Sequence, residues 1–201
     1  GAQKIFYGFN EGADLRASQA EIHLDNLENA YFSFRVDWQG KSAPFKINNI
    51  LGEHLIYSAL AAIATGLIFK MNLVEISEAL KDFCSPPGRM HLIKGIKNSW
   101  LIDDTYNSSP SASLAALKTL SQIPAPRKIA VLGDMLELGA YSEEAHRQVA
   151  VAAAKSVNLF LVVGERAIFM ADQAKKEGLG KEKIFYFASA EEAGRKLQNL
   201  I

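Results

Sequence analysis

The sequence predicts an α/β protein whose second half carries a mainly parallel sheet, preceded by an antiparallel meander and two helices. Three observations lead there. From Met90 onward, short apolar strand-like runs alternate with helical stretches, the pattern of βαβ units. Between Ala20 and Ile47, apolar and polar residues alternate with a strand's period of two. Between these parts, Ser85-Pro86-Pro87-Gly88 breaks the chain. A domain boundary is expected there, dividing residues 1–86 from residues 87–201.

Each element has a local reason. Ile5 to Phe9 is apolar and aromatic and is stopped by Asn10-Glu11-Gly12, so it reads as a strand. Ala20 to Leu24 and Tyr31 to Val36 alternate, Gln39-Gly40-Lys41 is a turn, and Ala43 to Ile47 is the return strand. One face of this meander is expected to be wet. Residues 1–50 are too few for a domain and read as the end of something larger. Gly52 to Lys70 reads as a helix, with Leu55, Ala59, Ile63 and Leu67 on an apolar stripe and His54, Ser58 and Ala62 on the adjoining face. A second helix starts at Asn72, which forms a capping box with Glu75, and runs to Phe83.

After the break, Met90 to Lys94 and Trp100 to Asp103 are strands around a turn at Gly95 to Ser99. Ser109 caps a helix from Pro110 to Leu120, with proline at its first position. Lys128 to Leu132, Leu159 to Val163 and Ile184 to Phe187 are strands. The helices Ser142 to Lys155 and Ala167 to Lys176 separate them. Glu143 and Glu144 stand near the positive end of the first of these. Ser189 caps the last helix, with Glu192 placed to close a capping box.

Composition narrows the class. The 201 residues are 49% apolar and 22% charged, ordinary for a globular protein with a sizeable core. Formal net charge is zero, so no global field draws nucleic acid or an acidic membrane. An anionic ligand would be held locally, by helix N-termini and single basic side chains. The lone Cys84 excludes an internal disulfide and suits a reduced, cytoplasmic setting. Cys84 has no nearby His and reads as packing or linker. Gly1-Ala2-Gln3-Lys4 leads straight into an apolar run, so no leader is read. The longest apolar run, Leu55 to Phe69, falls short of the ~20 residues that span a bilayer.

The chemistry-bearing residues cluster at the break and just beyond it. Arg89 follows Pro-Gly on a constrained backbone, and its planar fork suits phosphate or carboxylate; a solvated linker Arg would look the same. Asp103 and Asp104 end a strand and point to opposite sides, so one can face a crevice while the other supports the loop. Strand-end carboxylates bind ribose hydroxyls in nucleotide folds, though a plain polar loop start fits the pattern too. Gly133-Asp134 follows the next strand, where glycine lets backbone approach a ligand; an ordinary βα turn is the alternative. His54 at a helix start can hold a ligand or simply pack. His23, His91 and His146 have no ligand spacing, so no zinc site is inferred. The chain contains neither Gly-x-x-x-x-Gly-Lys-Ser/Thr nor Gly-x-Gly-x-x-Gly, and no spacing supports a Ser-His-Asp triad.

Several stretches together resemble the Mur ligases. They are Tyr7-Gly8, Ala13-Asp14-Leu15-Arg16-Ala17, Gly52-Glu53-His54 with Ala59-Leu60-Ala61-Ala62, and Pro87-Gly88-Arg89-Met90. To these add Ile102-Asp103-Asp104-Thr105-Tyr106-Asn107-Ser108-Ser109-Pro110 and Val131-Leu132-Gly133-Asp134-Met135-Leu136-Glu137-Leu138-Gly139. The last two are most similar to the branch that adds D-alanyl-D-alanine to UDP-N-acetylmuramoyl-tripeptide in peptidoglycan precursor synthesis. The resemblance implies the end of a central ATPase domain over residues 1–86 and most of a Rossmann-like C-terminal domain over 87–201. It implies ATP-driven amide formation through an acyl phosphate, with ATP and Mg²⁺ as cofactors. The P-loop, the magnesium ligands and a carbamylated lysine would lie upstream, and a closing Lys-Gly-Ser stretch would follow Ile201.

By the same resemblance, Arg89 contacts ATP phosphate or ribose, Asp104 binds the ribose and Asp103 supports it. These make Arg89 and Asp104 the catalytic pair. His54 and Ser58 join the nucleotide site, although Ser58 stands where the family usually has Asn and reaches less far than an amide. Tyr106 and Asn107 line the face towards the peptide and D-Ala-D-Ala, as do Gly133, Asp134, Met135 and Glu137. The expected protein is a cytoplasmic monomer that binds neither nucleic acid nor membrane, and the 201 residues alone are expected to be inactive without a P-loop. Another Mur-fold amide ligase, or a non-catalytic module of the same fold, are the competing readings.

Overall fold

The computed structural model describes residues 4–49 and 51–201. Gly1 to Gln3, where the reading of a leaderless start falls, and Ile50, at the end of the meander, lie outside the described residues. The chain divides into two compact units, Gly1–Ile93 and Lys94–Ile201.

In the first unit, β1 (Tyr7–Gly8), β2 (Leu15–His23), β3 (Tyr31–Trp38) and β4 (Lys41–Asn48) form one sheet in that order. β1 runs parallel to β2, and the other pairs are antiparallel. β1 is shorter than the expected Ile5–Phe9 because the chain before it closes on the following turn. Phe6 N–H donates to Asp14 Oδ2 at 2.8 Å, and Leu15 N–H donates to the Phe6 carbonyl at 3.0 Å. β2 begins at Leu15, earlier than the expected Ala20, and a bulge between Ser18 and Glu21 carries Gln19 at φ +51°. The bulge switches parity: Leu15 and Ala17 face the core before it, Ile22 and Leu24 after it. A strict alternation could not show this strand whole.

Two helices cover the dry face. α1 (Leu55–Ile68) buries Ile56, Ala59, Leu60, Ile63 and Ala64 in one core with Leu15, Phe32, Phe34, Phe45 and Ile47 of the sheet. It stops where Lys70 turns left-handed at φ +67°, with Met71 N–H reaching back to the Gly66 carbonyl at 3.1 Å. α2 (Leu73–Leu80) starts at the predicted Asn72/Glu75 capping box, both halves of which are made. It ends short of Phe83, since the Lys81 carbonyl accepts Asn48 N–H at 3.1 Å and ties the chain to β4. β5 (His91–Lys94) starts after Met90, which has φ +50° and so lies outside the expected strand.

In the second unit, β6 (Trp100–Asp103) is followed by α3 (Pro110–Gln122), β7 (Ile129–Gly133), α4 (Ser142–Ser156), β8 (Leu159–Val163), α5 (Ile168–Lys176), β9 (Ile184–Phe187) and α6 (Ala190–Leu200). β7, β8 and β9 form a parallel sheet in that order. The central strand is buried on both faces, with Phe160, Leu161 and Val162 all inaccessible, as a parallel strand between helix layers requires. Ala130, Phe160 and Val162 pack with Val149, Ala150 and Ala153 of α4 and Met170, Ala171 and Ala174 of α5. α6 lies against β8 and β9, and Lys196 Nζ sits 4.9 Å from the Phe185 ring centre. Ser189 Oγ accepts Glu192 N–H at 3.3 Å; among the described residues only this half of the predicted box is made.

Candidate functional site

In the first unit, the candidate residues sit at the start of α1 and in the proline turn. His54 is the first residue before α1 and its imidazole folds back over Gly52, where a Cβ would stand 2.7 Å from Nδ1. A side chain at 52 would have to displace this exposed imidazole. Ser58 follows one turn on, and both side chains are exposed. Arg89 closes a turn in which its N–H donates to the Pro86 carbonyl at 3.2 Å, with Gly88 at φ +74°. Proline second and a left-handed glycine third are the marks of a type II turn. Buried Ser85 donates its hydroxyl to the Arg89 carbonyl, and His91 Nδ1 donates to the Ser85 carbonyl at 2.9 Å. The Arg89 backbone is thus fixed while its side chain is exposed. Ser85 and His91 were not singled out by spacing; only their contacts reveal them. Cys84 is exposed. An open hollow of about 390 Å³ also occurs in this unit, lined by Asp14, Arg16, Asp37, Trp38 and Lys41 rather than by His54 or Arg89.

In the second unit, Asp103 ends β6 and its Oδ1 accepts from Thr105, at 2.6 Å from the hydroxyl and 3.3 Å from the N–H. This carboxylate shapes its own loop, the supporting role expected of one of the pair. Asp104 is half-buried, while Tyr106 and Asn107 are exposed. Asn107 Oδ1 accepts Ser108 N–H at 2.9 Å, and Ser109 Oγ accepts Ala112 N–H at 3.3 Å as the cap of α3.

The second motif stretch leaves β7 at Gly133. Asp134 Oδ1 accepts Ala167 N–H at 2.7 Å, at the start of α5, and its carboxylate fills the space beside Gly164, which has φ +110°. Met135 is buried, and Ser113 of α3 donates to its sulfur at 4.0 Å. Ser108 and Ser113 hydroxyls lie 3.3 Å apart. The two motif stretches therefore meet through Ser108, Ser113 and Met135. Leu136 and Glu137 project to solvent, Glu137 at φ +62°. His146 of α4, fully buried, accepts Met135 N–H on Nε2 at 3.0 Å. Nothing in the spacing of the histidines foretold that contact.

Both loops leave the C-terminal ends of strands, where open α/β sheets receive ligands. Among the described residues, no group of three or more His, Cys, Asp and Glu could hold a metal. No helix among them is long and apolar enough to cross a membrane.

Comparison with known proteins places this arrangement. Residues 88–201 match the family described as Mur ligase, glutamate ligase domain. The chain belongs to the Mur ligase family. This Mur ligase chain is 38% identical over 117 residues to the UDP-N-acetylmuramoyl-tripeptide--D-alanyl-D-alanine ligase of Escherichia coli K12, covering 58% of this chain and 26% of that protein. A crystal structure of MurF from Acinetobacter baumannii superposes with a TM-score of 0.81 at 26% identity, over 98% of this chain and 40% of the other. MurF from Thermotoga maritima, solved in complex with ADP, has a TM-score of 0.77 at 20% identity, over 98% of this chain and 42% of the other, a likeness of fold. The chain thus covers 26% of that Escherichia coli relative and 40% of that Acinetobacter baumannii chain, well under half of either.

Proposed function

We propose that this chain is part of an ATP-dependent ligase that joins D-alanyl-D-alanine to UDP-N-acetylmuramoyl-tripeptide in peptidoglycan precursor synthesis. One observation carries the reading. The Asp103–Pro110 and Gly133–Gly139 stretches leave successive strand ends and meet through Ser108, Ser113 and Met135. The named activity of the Escherichia coli relative supports the same reaction.

The donor set suits a nucleotide. Asp104 is a half-buried carboxylate, fit to accept from ribose hydroxyls, beside Asp103, which braces the loop through Thr105. Arg89 offers an exposed planar fork on a pinned backbone, fit for phosphate. His54 and Ser58 stand one turn apart at the exposed start of α1 and offer polar groups to a nucleotide there. When bound, ATP supplies the phosphoryl group that activates a carboxylate. Tyr106, Asn107 and the projecting part of the Gly133–Glu137 loop meet the peptide and the dipeptide. Magnesium is held by residues outside this chain. Residues 1–86 are the end of the ATPase domain and 87–201 a Rossmann-like domain. The ligase works as a cytoplasmic monomer, where UDP-linked precursor and ATP are both available.

The nucleotide role is tested in the full-length ligase by Asp104→Ala. Losing a charge-assisted hydrogen bond should raise KM for ATP about tenfold or more. KM for D-Ala-D-Ala should stay within about twofold. An unchanged KM for ATP would return Asp104 to an ordinary loop carboxylate.

A further inference from the structure

The Gly133–Gly139 loop is held from beneath by a residue the proposed chemistry does not use. His146 lies on α4 and has no solvent access. Its Nε2 receives Met135 N–H at 3.0 Å, and its Nδ1 faces the Ser142 carbonyl at 2.7 Å. A backbone N–H can only donate and a carbonyl can only accept, so these partners fix the Nδ1–H tautomer and the ring's orientation. With both nitrogens engaged, the ring has no position left for a metal or a substrate proton. Its one evident output is the placement of Met135.

That placement is reinforced on both sides. Asp134 is tied to the N–H of Ala167, the residue that leads into α5, and the Met135 side chain is buried under Ser113 of α3. Two consecutive residues are thereby anchored to three helices. The next two, Leu136 and Glu137, project, with Leu136 60% exposed and Glu137 in the left-handed region. A left-handed conformation is uncommon for a non-glycine residue and marks a sharp turn of the loop here. Removing the imidazole would leave Met135 N–H buried without an acceptor.

We propose that His146 is a positioning residue: it fixes the backbone of this loop so that Leu136 and Glu137 are presented to the ligand from a rigid base. That the ligand is the peptide or dipeptide rests on the function proposed above; the positioning itself does not.

The test compares His146→Leu with His146→Gln in the full-length protein. Glutamine keeps one acceptor and one donor on a planar group, whereas leucine keeps only bulk. Backbone hydrogen exchange over 133–138 should accelerate about tenfold or more in His146→Leu, while β8 keeps its protection. His146→Gln should restore most of the protection. Unchanged exchange in His146→Leu, a uniform loss across the second unit, or no rescue by glutamine would overturn the proposal. KM for D-Ala-D-Ala and the peptide is read in parallel with KM for ATP. A rise of about tenfold in the former alone ties the positioned loop to those substrates. Local loosening with no change in any KM would leave the positioning intact and remove the substrate-facing role of the loop.

Discussion

Asp134 shows how a motif residue can serve two ends. Its place after β7 suggests ligand contact, yet its Oδ1 holds Ala167 N–H at 2.7 Å and closes the start of α5. Asp134→Ala should therefore destabilise the protein by about 1–2 kcal/mol, the cost of leaving the part-buried Ala167 N–H without its acceptor. Urea unfolding followed by circular dichroism checks this, and Asp134→Asn should recover part of the loss. Residue identity was legible here but residue role was not. The partner lies 33 residues away, and only the parallel pairing of β7 with β8 brings it close. His146 is the sharper case. In the sequence it is one of three scattered histidines without ligand spacing; in the fold it is the acceptor for Met135 N–H. A buried backbone donor leaves no trace in composition.

Elements were more readable than contacts, since their signals are local. The Asn72/Glu75 box, the Ser109 cap with Pro110 and the Ser189 cap all occur where the sequence places them. Asn72→Ala should cost about 1 kcal/mol, because it orphans the Val74 and Glu75 N–H groups at the start of α2. A lowered urea midpoint with an unchanged m-value is the expected reading. Ends set by tertiary partners were not readable. α2 gives up its last turn because the Lys81 carbonyl accepts from Asn48 of β4. β2 hides its first half because a bulge moves its apolar residues from odd to even positions.

At the scale of the whole molecule, the α/β class and the parallel sheet follow from the alternation of apolar strands and helices. The two units each own a core, one built on Phe34, Phe45, Leu60 and Ile63, the other on Val149, Phe160, Val162 and Met170. Leu60→Ala should cost about 2–5 kcal/mol, since Leu60 is wholly buried between α1 and its sheet. Thermal or chemical unfolding of the variant checks that figure. The division at Ile93 to Lys94 lies a few residues past the Pro-Pro-Gly break, for composition marks where a chain bends rather than where contacts change. What the family match adds is chemistry, and that is testable in one measurement. The full-length protein carrying this chain is given UDP-N-acetylmuramoyl-tripeptide, D-Ala-D-Ala, ATP and magnesium, and the product is followed by mass. A precursor extended by the dipeptide, formed only with ATP, is the predicted result. Extension by another amine but never by D-Ala-D-Ala, or no product at all, would contradict it.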